Sequence, residues 1–159
     1  ACTATLREHT GKVLAVAATG EAIATASQDK TARIWPLDGG ASQHTLSHPD
    51  AVYAVAMAGD RLVTGCRDTV IRVFAVATGR PTRELRGHTG EVFALALSGA
   101  MVVSGDSGGQ VKVWALADEA EAECVATLEH GNVWGGVAGP DFVASQGMGD
   151  TSLVVWRPA

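Results

Sequence analysis

The run His88-Thr89-Gly90-Glu91-Val92-Phe93-Ala94-Leu95-Ala96-Leu97-Ser98-Gly99-Ala100-Met101-Val102-Val103-Ser104-Gly105, with its continuation Gln110-Val111-Lys112-Val113-Trp114, decides the reading of this chain. Two apolar, partly β-branched stretches, Val92 to Leu97 and Met101 to Ser104, flank a glycine-containing turn, the pattern of a β-hairpin. A polar turn then leads to a third stretch that ends on an aromatic ring. The histidine that opens the run and the tryptophan that closes it lie 26 residues apart.

The same frame recurs outward in both directions. His9, His48, His88 and His130 are separated by 39, 40 and 42 residues, and Trp35, Phe74, Trp114 and Trp156 follow them at the same 26-residue distance. Two residue types that keep register through four copies mark an internal repeat. The first strand of each copy is expected at Val13 to Ala17, Val52 to Met57, Val92 to Leu97 and Val133 to Ala138. The second falls at Ala22 to Ala26, Arg61 to Thr64, Met101 to Ser104 and Phe142 to Ser145. The third spans Thr31 to Trp35, Val70 to Phe74, Gln110 to Trp114 and Ser152 to Trp156. A fourth short stretch, such as His44-Thr45-Leu46 or Arg83-Glu84-Leu85, leads into the next histidine. Four short strands in roughly 40 residues, joined by hairpin turns, describe one blade of a β-propeller. The expected fold is therefore all-β, a single domain over 1–159 with four four-stranded antiparallel blades and repeats at about 8–47, 48–86, 87–128 and 129–159. Residues 1–7, through Ala4-Thr5-Leu6, are expected to supply the outer strand of the last blade, so that neither end leaves an unpaired edge.

Composition narrows the function classes. Of 159 residues 47% are hydrophobic and 18% charged, which argues for a folded chain. A net charge of -5 with no cluster of Lys or Arg offers phosphates no basic field, so nucleic acid is not an expected partner. Apolar runs such as Val13 to Ala18 are far short of the ~20 residues of a membrane-spanning helix, and no membrane partner is expected. Cys2, Cys66 and Cys124 are odd in number and lack metal-ligand spacing, which fits a reducing, cytoplasmic or otherwise intracellular setting with neither disulfides nor zinc. The chain starts at Ala1 rather than Met, as a processed product or a cut piece would.

Several motifs suggest chemistry, and each has a plainer reading. Gly105-Asp106-Ser107-Gly108-Gly109 matches the sequence around a trypsin-like nucleophile, but it falls where the other copies have the turns Ser27-Gln28-Asp29 and Cys66-Arg67-Asp68. The regularly spaced histidines belong to different blades and so lie around a ring instead of converging on a metal. Thr10-Gly11-Lys12 lacks the remaining residues of a phosphate loop. The acidic run Asp118-Glu119-Ala120-Glu121-Ala122-Glu123 reads as a solvated loop, with docking of a basic partner as the alternative. No cofactor is expected.

Leu85-Arg86-Gly87-His88, Ser104-Gly105 and Val111-Lys112-Val113-Trp114 together resemble the WD-repeat family, and the likeness extends over essentially the whole chain. The short hairpin from Val55 to Gly65 is similar to those of F-box receptors of ubiquitin ligases. The chain departs from the family in lacking the Asp after the aromatic, replaced by Pro36, Ala75, Ala115 and Arg157, and only His88 keeps its preceding Gly.

The resemblance implies a buried hydrogen-bond chain in each copy. It maps onto His9, Thr25, Asp29 and Trp35, then onto His48, Thr64 and Asp68 with Phe74 in place of the indole donor. In the third copy His88, Ser104 and Trp114 meet Gly108 where Asp is expected, so that chain is expected to be broken. The fourth set is His130, Ser145, Asp150 and Trp156.

The resemblance also implies a ligand face around the channel entrance, formed by Lys12, Leu14 and Gln28, by Ala51, Tyr53 and Arg67, by Glu91, Phe93 and Ser107, and by Asn132, Trp134 and Gly149. Leu14, Tyr53, Phe93 and Trp134 make a mostly aromatic ring there, suited either to binding a peptide or to plugging a narrow channel. Trp134 is open to a second reading, as the core residue of its strand. The expected function is a non-enzymatic protein–protein interaction scaffold. A substrate-recruiting subunit of a multi-subunit enzyme such as a ubiquitin ligase is the alternative, and a serine hydrolase a remote one. Rings of the family usually carry about seven blades, so four imply part or half of a larger ring in preference to a closed four-blade one. The arc is then completed by a homodimer with eight blades or by the remaining repeats of a longer parent chain.

Overall fold

The computed structural model describes residues 4–116 and 123–129, together with the backbone of 133–138, 143–147 and 153–156. Strands β1 (Val13–Ala18), β2 (Ala22–Ser27), β3 (Thr31–Pro36) and β4 (His44–Ser47) form the first antiparallel sheet in chain order. The second consists of β5 (Val52–Ala58), β6 (Arg61–Cys66), β7 (Ile71–Ala75) and β8 (Pro81–Leu85). The third consists of β9 (Val92–Ser98), β10 (Met101–Asp106), β11 (Gln110–Ala115) and β12 (Glu123–Glu129). A fourth sheet holds β13 (Val133–Ala138), β14 (Val143–Gly147) and β15 (Leu153–Trp156). Among the described residues this last sheet has three strands, and residues 4–7, the described part of the 1–7 stretch expected to supply its outer strand, carry no strand. No helix among the described residues is long and apolar enough to cross a membrane.

Because side chains alternate along a strand, each blade has two faces, and the two are unlike. The face of blade 1 that meets blade 2 is built on small residues, Ala15, Ala17, Ala24, Ala26 and Ala32, with Ile34 and Leu46. Opposite stand larger groups of blade 2, Val52, Val55, Leu62 and Phe74. Between blades 2 and 3 both sides are larger, with Val63, Ile71, Val73 and Leu85 laid against Val92, Val102, Trp114 and Leu116. Ala94, Val103, Val111 and Val113 form the next face of the series. The innermost strands follow the same order: β1 packs on β5, β5 on β9 and β9 on β13. Among the described residues no comparable packing joins β13 back to β1, so the blades form an open arc.

A directed run of hydrogen bonds pins the start of each blade to its middle strands. In blade 1 the Trp35 indole N–H donates to Thr25 Oγ1 (2.9 Å), and the Thr25 hydroxyl meets His9 Nε2 (2.7 Å). His9 Nδ1 in turn donates to Asp29 Oδ2 (2.7 Å). Burial works to raise the Asp29 carboxyl, but hydrogen bonds from Thr31, His9 and the Thr10 amide outweigh it and hold the group far below the usual carboxylate range.

Blade 3 has the same run, contrary to the expectation of a chain broken at Gly108. Trp114 Nε1 donates to Ser104 Oγ (2.8 Å), Ser104 Oγ meets His88 Nε2 (2.6 Å), and His88 Nδ1 donates to Asp106 Oδ2 (2.9 Å). Asp106 stands two residues before the expected position. From the end of β10 it also collects the amides of Gly108 and Gln110, each at 2.9 Å.

Blade 2 corrects the other expectation. Asp68 is no partner of His48; it is held by Arg72 Nη2 at 2.7 Å. His48 Nδ1 donates instead to the Leu46 carbonyl (3.0 Å), while Nε2 keeps Thr64 Oγ1 at 2.8 Å. Two local differences account for this. In blade 1 the amide of Thr10, just after the histidine, donates to Asp29, whereas the corresponding residue in blade 2 is Pro49, which has no N–H. The blade 1 cation at the position of Arg72, Arg33, is engaged by Glu8, whereas Arg72 faces Asp68. Phe74 has no N–H to give, and its ring packs on His48 at 5.6 Å between centroids. His130 and Asp150, and the side chains of Ser145 and Trp156, lie outside the described residues. By backbone register, though, Ser145 pairs with Val154 as Ser104 pairs with Lys112.

Replacing Trp35 with Phe imposes the arrangement of blade 2 on blade 1 and removes one buried hydrogen bond. We expect a loss of about 1–2 kcal/mol in urea unfolding, and an unchanged midpoint would contradict the role given to that bond.

Burial pushes the His48 imidazole from the ordinary 6.5 down to about 4, with Arg72 adding to the effect against an opposing hydrogen bond to the Leu46 carbonyl. Between those values the unfolded state holds more protons than the folded one, so stability falls as the pH is lowered from about 6.5 to about 4 and is insensitive to this group above that window. The expected loss is roughly 3 kcal/mol from His48. His88, which burial also lowers, acts in the same direction. His48→Gln should flatten the profile in this window; an equally steep variant would rule the assignment out.

Candidate functional site

One residue in each innermost strand has no partner in the ladder. Pairing jumps from Val13 to Ala15 in β1, from Val52 to Ala54 in β5, from Val92 to Ala94 in β9 and from Val133 to Gly135 in β13. The skipped residues are Leu14, Tyr53, Phe93 and Trp134. A bulge of this kind re-aims a side chain out of the alternation of its strand. Register therefore puts Trp134 in the same series as Leu14, Tyr53 and Phe93, and not among the paired core positions; its side chain lies outside the described residues, as do Asn132 and Gly149.

A repeated backbone bond closes each strand pair just beyond its bulge. The amides of Gln28, Arg67 and Ser107 donate to the carbonyls of Lys12, Ala51 and Glu91, each at 2.9 Å. The positions before and after each bulge are thereby tied to one rim. Blades 1 and 3 leave no room for a side chain before this bond, since a Cβ at Gly11 would stand 2.8 Å from the Asp29 amide nitrogen and one at Gly90 2.7 Å from Ser107 Oγ, whereas blade 2 makes the same bond with Asp50 at that position. This local crowding is a reason for the glycine in Thr10-Gly11-Lys12 that needs no phosphate loop.

Leu14, Ala15, Tyr53 and Phe93 line a concavity of about 350 Å³. The Tyr53 and Phe93 rings are 4.6 Å apart between centroids at 37°, a tilted stack. Both rings are half-buried and Leu14 is exposed. Burial and the nearby Glu91 carboxylate push the Tyr53 hydroxyl above its ordinary value, so it stays a neutral hydrogen-bond donor. Lys12 and Gln28 are exposed on the rim, and Ala51 is buried beneath it. Arg67 is exposed as well, but its Nε donates to Glu91 Oε1 at 2.9 Å, so its charge is already answered within the rim.

Ser107 Oγ accepts the Glu91 amide (3.0 Å), while the imidazole of His88 is engaged by Ser104, which is buried. The trypsin-like motif thus folds as a turn in which Asp106 and Ser107 accept backbone amides. Among the described residues no group of three His, Cys, Asp or Glu side chains comes together to hold a metal. Cys66 is a buried free thiol, raised by that burial, and Cys124 is an exposed one. Cys2 and most of the acidic run, 118–122, lie outside the described residues. Ala15 and Asp106 were not among the residues singled out beforehand. Asp106 was legible as the one carboxylate in its turn, whereas nothing in the repeat spacing marks Ala15.

No curated protein matches the chain. Among solved structures, the computationally designed Ika4 protein is similar over 100% of this chain and 99% of its own, with a TM-score of 0.88 at 23% identity. The computationally designed Ika8 protein is similar over 98% of this chain, which spans only 49% of that one, with a TM-score of 0.86 at 24% identity. Both likenesses concern the fold. The profile of the family described as "WD domain, G-beta repeat" matches residues 1–36, 40–74 and 79–115. These segments coincide with the first three blades and their histidine-to-aromatic frames, and the chain belongs to the WD-domain, G-beta-repeat family.

Proposed function

We propose that this chain is a non-enzymatic scaffold that takes a peptide or loop of a partner protein on the rim formed by Lys12, Leu14, Gln28, Tyr53, Arg67, Glu91, Phe93 and Ser107, with Trp134 at the corresponding register position. Repeats of this family generally mediate protein–protein interaction. The observation that carries the finer reading is the run of apolar and aromatic residues on consecutive bulges, two of them stacked beside a concavity of about 350 Å³. Rigid rings ordered before binding lose little entropy on contact, and a polar rim around them is the usual anatomy of a hot spot. With Arg67 already paired to Glu91, the rim favours an apolar anchor over an acidic or phosphorylated one.

An intracellular setting belongs to this reading, as does completion of the arc to a ring, either by a second copy or by further repeats of a longer polypeptide. Recruitment of substrates to a larger enzyme, such as a ubiquitin ligase, is a narrower form of the same role. It rests on the Val55 to Gly65 hairpin alone.

Peptides selected for binding from a random display library test the proposal. They should lose at least about tenfold in affinity for a Tyr53→Ala/Phe93→Ala variant that still unfolds cooperatively, since hot-spot aromatics are worth about 2 kcal/mol or more each. Undiminished binding would leave the rings as a channel plug and remove this face from consideration.

A further inference from the structure

The rim is not electrically even, and the repeat shows where the charge is left over. Lys12, Ala51 and Glu91 hold one position in successive blades, since their carbonyls accept the amides of Gln28, Arg67 and Ser107. At that position Glu91 is met across the blade boundary by Arg67 of the preceding blade, Nε to Oε1 at 2.9 Å. Ala51 and Gln28, the same pair one boundary earlier, carry no charge. Lys12 is exposed, and among the described residues its ammonium meets neither a carboxylate nor another acceptor. The carboxylates nearest to it in sequence are engaged elsewhere, Glu8 with Arg33 and Ser42, and Asp29 with His9 and Thr31. Lys30, in the adjoining turn, lies 3.9 Å from Asp50 and donates to the Pro49 carbonyl (3.3 Å). On a chain of net charge -5, the blade 1 side of the rim thus keeps one unanswered cation.

That cation stands beside the apolar concavity. Lys12 is two residues before Leu14, so the backbone puts it no more than about 7 Å along the strand from a side chain that lines the hollow. Blade 1 contributes Leu14 and Ala15, and blades 2 and 3 contribute the stacked rings of Tyr53 and Phe93. A volume of about 350 Å³ lies at the low end of the ~300–1,000 Å³ of small-ligand pockets, room for one large side chain but not for a folded element. Aromatic side chains gain from offset or edge-on packing on such rings beyond the area they bury, and aliphatic ones do not.

We infer that the segment captured at the rim carries an aromatic side chain that fills the hollow and, within about three residues of it, an aspartate or glutamate that pairs with Lys12. This rests on the rim being the binding surface and adds the kind of segment that it selects. A segment with an aliphatic anchor and a basic flank gives up the ring packing and sets like charges together. The segment also has a direction: its acidic side lies toward blade 1, because the Arg67 and Glu91 pair on the other side offers no net charge. Being exposed, the pair with Lys12 contributes selectivity more than affinity and is screened by salt.

Peptides selected from a random display library on the unaltered chain, and kept if they lose binding to Tyr53→Ala/Phe93→Ala, are the probe. They should be enriched in an aromatic residue with an acidic one close by. Lys12→Glu, a change at an exposed side chain, should weaken them at least about threefold in low salt. Exchanging the acid of the peptide for Lys should restore binding to that variant, and the difference should vanish in about 1 M salt, where charges are screened within about 3 Å. Arg80→Glu makes the same change of charge in the exposed β7–β8 turn, at the other end of the strands, and should leave affinity unaltered. Ring-dependent peptides that lack the acid, that bind Lys12→Glu as well as the unaltered chain, or that weaken equally in Arg80→Glu would overturn the inference while leaving the rim as the binding surface. A selection that yields no ring-dependent peptide would overturn both.

Discussion

The connection into each blade arrives over a sheet that it does not pair with, and something must fix where it lands. In blades 1 and 3 that constraint is a run of hydrogen bonds with one direction, from indole N–H to hydroxyl to imidazole to carboxylate. The run ties the segment before the innermost strand to the second and third strands. Every member is buried or nearly so, so losing one link leaves a polar group without water to replace its partner, and each link matters more than its net value of about 1 kcal/mol suggests. Blade 2 shows how much substitution the device tolerates. It keeps the link from imidazole to hydroxyl but exchanges the carboxylate for a carbonyl and the indole for a phenyl ring.

Once the connection is fixed, packing follows from side-chain size. The alanine-rich face of blade 1 meets valine, leucine and phenylalanine of blade 2, and between blades 2 and 3 branched aliphatic groups meet valines, a leucine and Trp114, so that each wedge is filled. The same fixed geometry aims the bulge residues at the rim, because the bulge follows directly on the first ladder pair after the pinned histidine. Function at that rim is thus coupled to the interior: the stacked rings of Tyr53 and Phe93 come from two blades, and only the packing of those blades holds them 4.6 Å apart. The open end exposes on Val13 and Val16 the kind of surface that the rest of the arc works to bury.

Much of this was legible in the sequence because the repeat is strict where the physics is strict. The 26-residue distance from histidine to aromatic spans the pinned connection and three strands, and insertion there would break the run of hydrogen bonds. The strands, their order and the candidate rim positions could therefore be read by counting. What could not be counted was choice among near neighbours. Asp68 fills the carboxylate position of the repeat but faces Arg72, and Pro49 removes the amide that would have drawn it to the histidine side. Asp106 sits two residues early and still reaches His88, because the end of β10 points its side chain into the same space. The open arc, by contrast, was expected, because four repeats are too few for the usual ring of about seven blades.

The central claim is that the histidines of successive blades share one environment despite these substitutions, and the protonation pattern of their rings reads it most directly. Long-range nitrogen–proton spectra of the imidazoles at neutral pH should show His48 and His88 both carrying the proton on Nδ1, with Nε2 bare and accepting from Thr64 and Ser104. A proton on Nε2 in either ring, or rapid exchange between the two nitrogens, would contradict the account.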